Sequence, residues 1–251
     1  MDGCDGGEPA LMMELSSVVA IRGERAEPRE WECSRLLAAL EETGMPLLSL
    51  RYGVGSGIYY SGDDAGRALY VLTGGAAKLF VSYPGYAGSK NATFVLLGPG
   101  EVFGYPLFAG GRPERVPAEA FMDCEIVKIP ATFVERAMRR RPEVALEIAA
   151  LLERRLVDYE EFVGCLLPRR TEVRLARALL VLARKFGKRT GDGGVGIELR
   201  LTRTDLADMT ASTRESVTAA VIRLRQTGIL EMEAGRIVLL DPKMLAEVAH
   251  Q

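Results

Sequence analysis

Arg214 and Glu215 stand side by side near the C-terminal end of the chain, and their chemistry suits the edges of base pairs. An arginine donates two parallel hydrogen bonds to guanine O6 and N7, and a glutamate accepts one from cytosine N4. The plainer alternative is a solvated first turn of a helix, where the dipole favours an acid. Choosing between them requires the elements that hold the pair.

The stretch from Leu201 to Leu240 carries those elements in order. Thr202 with Asp205, and Ser212 with Glu215, each have the spacing of a capping box, so a helix is expected to begin at each. Leu206 and Met209 supply the apolar side of the first helix, and Val217, Val221 and Leu224 the buried stripe of the second. With that stripe inward, Arg214, Glu215, Thr218 and Ala219 face outward, as the residues of a recognition helix do. Gly228 suits the position just past a helix end. Ile229 to Glu233 and Arg236 to Leu240 then read as strands joined at Ala234-Gly235. The pattern predicts a winged helix-turn-helix. The expected DNA-binding residues are Thr202, Ser212, Thr213, Arg214, Glu215, Thr218 and Arg223, with Arg223 or Arg225 directed at phosphate.

Charge distribution agrees. The whole chain carries a net charge of −2, yet residues 168–251 hold 15 Lys and Arg against 10 Asp and Glu. The remainder holds 17 against 24, so the positive end is the one with the helix-turn-helix. At 251 residues, 48% hydrophobic and 26% charged, the chain suits two globular domains. It has no apolar run long enough for a bilayer and no leader pattern, so a cytoplasmic protein without membrane contact is expected. Cys4, Cys33, Cys124 and Cys165 are scattered, which fits buried or idle thiols and argues against structural zinc or an iron–sulfur cluster. There are no paired catalytic carboxylates and no nucleophile beside a base, and His250 is the one histidine. These absences oppose the alternative of an enzyme using the other domain as its site, and no catalytic residue and no metal ligand is expected.

Upstream, residues 1–30 read as a tail and Trp31 to Leu40 as a short amphipathic helix. Ile58 to Tyr60, Ala68 to Thr73, Ala76 to Ser82, Ala92 to Leu97 and Glu125 to Ile129 are short apolar runs punctuated by glycines. They predict an antiparallel β-roll over 31–138, with Tyr83 to Asn91 as a hairpin tip. Ala131 to Met138 is a short helix, and Pro142 opens a long one reaching about Leu167. Ala145, Ile148, Leu152, Leu156, Tyr159, Val163 and Leu166 recur at steps of three and four, as in a coiled-coil seam. Residues 139–167 are therefore expected to form a dimerisation helix, against the alternative of a helix packed on its own roll. Pro168 breaks the chain, and 168–251 form the DNA-binding domain: a helix from Thr171 to Phe186, a glycine-rich loop from Gly187 to Gly196, a strand from Ile197 to Leu201 and the winged unit. The fold class is α+β.

Roll, long helix and winged helix-turn-helix, in that order, resemble the CRP/FNR superfamily of the catabolite activator and the fumarate–nitrate regulators. Thr213-Arg214-Glu215-Ser216-Val217-Thr218 is similar to its recognition helix, and Gly100-Glu101-Val102-Phe103-Gly104 to its roll motif. Within the superfamily, the cyclic-nucleotide branch places a Glu after the Phe-Gly for the ribose, and Arg with Ser or Ala for the phosphate. Here Tyr105-Pro106 follows Phe103-Gly104, and Val116 follows Arg115, which argues against cyclic AMP. The single, terminal His250 argues against a histidine-ligated haem.

Arg51-Tyr52-Gly53, Tyr59-Tyr60-Ser61-Gly62-Asp63, Gly74-Gly75-Ala76-Ala77-Lys78-Leu79 and Val102-Phe103-Gly104 look most like the cyanobacterial global nitrogen regulators, the NtcA family. That resemblance implies 2-oxoglutarate as the effector, bound between roll and long helix. It assigns the effector site to the backbone of Phe103, Gly104, Tyr105 and Pro106, to Arg115, and to Arg155 and Glu160 on the helix. The chemistry is reasonable, because a dianion needs a cation at each end and the arginine fork matches a carboxylate. Pro106 removes one backbone donor, and Arg155 and Glu160, five apart, lie about 140° apart around the helix. The resemblance further implies a homodimer on palindromic double-stranded DNA, with RNA polymerase as a partner. One departure concerns the operator: Ala219 stands where the superfamily has a second Arg, so a GTA…TAC site is expected only weakly. An effector-independent regulator, controlled by abundance, is the competing expectation.

Overall fold

The computed structural model describes residues 29–44, 47–60, 68–85, 88–104 and 116–251. It separates into a unit spanning Glu27–Glu160 and another containing Glu161–Gln251.

The first unit opens with helix α1 (Arg29–Glu41) and then builds strands β1 (Leu48–Tyr52), β2 (Gly57–Tyr59), β3 (Ala68–Gly74), β4 (Ala77–Gly85), β5 (Gly88–Leu97), β6 (Val102–Phe103), β7 (Ala118–Ala120) and β8 (Cys124–Pro130). Two antiparallel four-stranded sheets result, ordered β1-β8-β3-β6 and β2-β7-β4-β5. Every residue from Ala68 to Leu72 is buried, because β3 has apolar neighbours on both faces. Tyr70 and Leu72 point into the roll with Phe103 and Ile126. Leu69 and Val71 point the other way, onto Leu36 and Leu40 of α1. Strands β4 and β5 pair right out to Gly85 and Gly88, so the expected hairpin tip at Tyr83 to Asn91 is mostly strand.

Helix α2 (Ala131–Arg140) follows directly, and helix α3 (Glu143–Leu166) runs 24 residues. The expected single seam on α3 divides into two stripes. Val144, Ile148 and Leu151 pack on α1 and α2 within the first unit's core, and Arg155 and Asp158 continue that buried line. Leu152, Leu156 and Val163 stay 37%, 57% and 54% exposed. A 3.6-residue period carries two adjacent stripes whose members interleave, which is why Ile148 falls on the inner one.

The second unit contains helix α4 (Thr171–Phe186), strands β9 (Gly187–Arg189) and β10 (Val195–Ile197), helices α5 (Arg203–Met209) and α6 (Arg214–Gln226), strands β11 (Leu230–Glu233) and β12 (Arg236–Leu239), and helix α7 (Pro242–Ala249). Its sheet has four strands in the order β11-β12-β10-β9, not a two-stranded wing alone. The segment expected as a glycine-rich loop is thus a hairpin, and the strand expected at Ile197 to Leu201 ends at Ile197. Gly187 explains the misreading: a Cβ there would meet Ala183 O at 2.0 Å, so this glycine permits close packing rather than a loop. Among the described residues, no helix is long and apolar enough to cross a membrane.

Candidate functional site

The helix-turn-helix is built by local chemistry that can be followed bond by bond. Thr202 caps α5: its Oγ1 accepts from Asp205 N at 3.1 Å, while Thr202 N donates to Asp205 Oδ2 at 2.7 Å. The first capping box is therefore present. No second box forms: the cap of α6 lies one residue later than expected and is one-sided. Thr213, not Ser212, caps α6, its Oγ1 accepting from Ser216 N at 3.1 Å. Ala211 causes the shift. Its φ is +46°, the left-handed conformation that ends α5, and Ser212 N then donates back to Ala207 O at 3.0 Å. Ser212 therefore belongs to the turn, with its hydroxyl donating to Thr210 O at 3.1 Å. The end of α6 repeats this closure with Gly228, as Ile229 N donates to Leu224 O at 3.0 Å.

Val217, Ala220, Val221 and Leu224 are buried, which leaves Arg214, Glu215 and Ala219 exposed on α6 and Thr218 half-buried beside them. Arg214, Glu215, Thr218, Ala219 and Ile222 line one shallow concavity. Thr202 and Thr213 are also exposed. Arg223 is held elsewhere: its Nε donates to Glu172 Oε2 at 3.0 Å, on α4. Nine residues separate it from Arg214, which puts it on the opposite side of α6. Arg225, eleven residues on, returns to the Arg214 side. Arg225 also acts on Arg203, whose guanidinium pKa lies below its usual range through burial and, secondarily, that like charge.

The other arginine of interest is in the first unit. Arg155 is 8% exposed, its Nη2 donates to Val102 O at 2.8 Å, and its guanidinium lies 5.6 Å from the Tyr159 ring centroid. Nη1 is 4.0 Å from Glu101 Oε1 and has no hydrogen-bond partner among the described residues. Gly100, Glu101, Val102, Leu151, Arg154, Arg155 and Asp158 line a cleft there, with room for about one water. Glu101 and Asp158 are both buried, and sequence reasoning missed them. Phe103 stacks on Tyr70 at 5.2 Å, and Gly104 has φ +87°, where a Cβ would meet Ala68 O at 2.7 Å. Glu160 is exposed, and no hydrogen bond or ion pair joins it to Arg155 among the described residues. Tyr105, Pro106 and Arg115 lie outside the described residues. The thiols of Cys33, Cys124 and Cys165 are buried, and burial pushes each pKa up to about 11.

A roll of the cyclic-nucleotide-binding type joined through a long helix to a winged helix-turn-helix defines a class of DNA-binding transcription regulators, and comparison with known proteins agrees. A cyclic nucleotide-binding domain model matches residues 50–141, and a Crp-like helix-turn-helix domain model matches 173–248. The global nitrogen regulator of Synechococcus elongatus is 32% identical over 217 residues, covering 84% of this chain and 96% of its own length. The cyclic AMP receptor protein of Thermus thermophilus is 30% identical over 198 residues, 79% of this chain and 86% of its own. The crystal structure of a CRP-family transcriptional regulator from Thermus thermophilus superposes with a TM-score of 0.68 at 28% identity, over 80% of this chain and 97% of that one. The chain belongs to the CRP/FNR family of transcription regulators.

Proposed function

We propose that the chain works as a homodimer on palindromic double-stranded DNA, and that a small acid, 2-oxoglutarate, bound at Arg155 sets its affinity for that DNA. The outward stripe of Leu152, Leu156 and Val163 supports the dimer, since three large apolar side chains along one helix face need a cover. The observation that carries the effector reading is Arg155 Nη1. It is a buried charged donor without a hydrogen-bond acceptor, and a carboxylate oxygen would satisfy it; the cleft beside it, with room for about one water, would have to open to admit the acid. Because α3 leads in sequence into the DNA-binding unit, a ligand that shifts α3 would bias where α6 sits in each half-site. RNA polymerase is the further partner. On this reading the protein is cytoplasmic, performs no chemistry on its effector, and uses neither cyclic AMP, haem nor an iron–sulfur cluster.

A second reading is favoured by Glu101 and Asp158. Both acids are buried beside the cleft, and Glu101 Oε1, 4.0 Å from Arg155 Nη1, supplies counter-charge from within the chain. The dimer would then be competent without any effector and be controlled by its abundance. Fluorescence anisotropy with a GTA…TAC duplex at one fixed salt separates the two. Tighter binding in millimolar 2-oxoglutarate, with no response to cyclic AMP, is the result expected of the effector reading. Tight binding indifferent to both compounds selects the second.

A further inference from the structure

The reading face of α6 is more apolar than base reading by hydrogen bonds alone requires. Ile222 is 46% exposed and lines the same concavity as Arg214. It is four residues after Thr218 and three after Ala219, so the three side chains are neighbours on the helix surface. Thr218 adds no donor, because its Oγ1 already donates to Arg214 O at 2.7 Å. What remains toward the groove beyond Arg214 and Glu215 is a methyl-rich patch.

In the major groove the apolar feature that a base pair presents is the C5-methyl of thymine. The other edges carry N7, O6, N4 or N6, and an isoleucine laid over them would strip water from polar groups without replacing its hydrogen bonds. We infer that Thr218, Ala219 and Ile222 read thymine methyl groups beside the guanine contacted by Arg214, so that this face selects T·A pairs by attraction and rejects G·C pairs by desolvation. The inference rests on the reading of α6 as the recognition helix and deepens it. It also gives Ala219 a positive role: a longer, charged side chain there would cover the patch.

The test uses the full-length protein. Duplexes are selected from a library with randomised two-fold half-sites, and in the tightest one each thymine is replaced in turn by deoxyuridine, which removes only the methyl. One thymine per half-site is expected to lose about fourfold in affinity on this replacement, the value of one buried methyl. Ile222→Ala should bind the thymine duplex more weakly and be indifferent to the replacement, with its melting temperature unchanged because Ile222 is exposed. Ala219→Arg should shift selection toward guanine at that position. If every deoxyuridine duplex binds as tightly as its parent, or Ile222→Ala keeps the same sensitivity, the inference is overturned while the DNA reading stands. If no duplex is enriched, both fall together.

Discussion

Two arginines on two helices carry the account, and they are held in opposite ways. Arg214 begins α6 on an exposed face, and among the described residues no ion pair holds its guanidinium. Arg155 sits in the buried stripe of α3, bonded to Val102 and facing Glu101. The first is ready for an outside acceptor, whereas the second is engaged from within except at Nη1. On the proposed function, the contrast separates reading from sensing. A base-reading arginine loses little water before it meets DNA, but a sensing arginine must be released from partners that compete with the ligand. Differential contact of that kind is what lets a ligand shift a conformational equilibrium.

The largest expected effect comes from breaking what both arginines would share, the dimer. Leu156→Glu places a charge in the exposed stripe of α3, and light scattering should report a monomer. DNA affinity should fall by roughly a hundredfold or more as two linked half-sites become one. Arg155→Ala comes next. It removes the guanidinium that faces buried Glu101 and bonds to Val102 O, and denaturant unfolding of the first unit should show a loss of about 3 kcal/mol. Arg214→Ala should leave that unfolding curve where it is, which sharpens the contrast between an exposed and a buried arginine. The smallest effect concerns the turn before α6. Ala211 holds a left-handed φ of +46° with a Cβ in place, so Ala211→Gly should stabilise the DNA-binding unit by about 0.5 kcal/mol in chemical denaturation.

The regions differ as much in how legible they were from sequence. The helix-turn-helix depends on contacts within a few residues, and Thr202 with Asp205, the buried Val217, Val221 and Leu224, and Gly228 are all visible in the order of residue types. The one local error, Ser212 for Thr213 as the cap, arose because the backbone angle of Ala211 is not written in its side chain. The region around Arg155 depends on pairs far apart in sequence. Arg155 meets Val102 across 53 positions, so the resemblance found the arginine but gave no role to Glu101, which faces it, or to the buried Asp158. Arg223 is a similar case, drawn from the expected phosphate contact to Glu172, 51 positions away. Periodicity on α3 registered apolar spacing correctly but merged two stripes, because only the packed roll distinguishes the inner from the outer.

Anisotropy of wild type, Arg214→Ala and Arg155→Lys on one duplex, with and without millimolar 2-oxoglutarate, puts both arginines to the test at once. Arg155→Lys keeps the charge beside Glu101 but loses the fork that a carboxylate would use. Arg214→Ala should lose specific binding in both conditions, by about 1–3 kcal/mol per half-site. Arg155→Lys should keep the ligand-free affinity and lose only the tightening caused by the acid. Wild-type affinity in Arg214→Ala, or an undiminished response to the acid in Arg155→Lys, would contradict these roles.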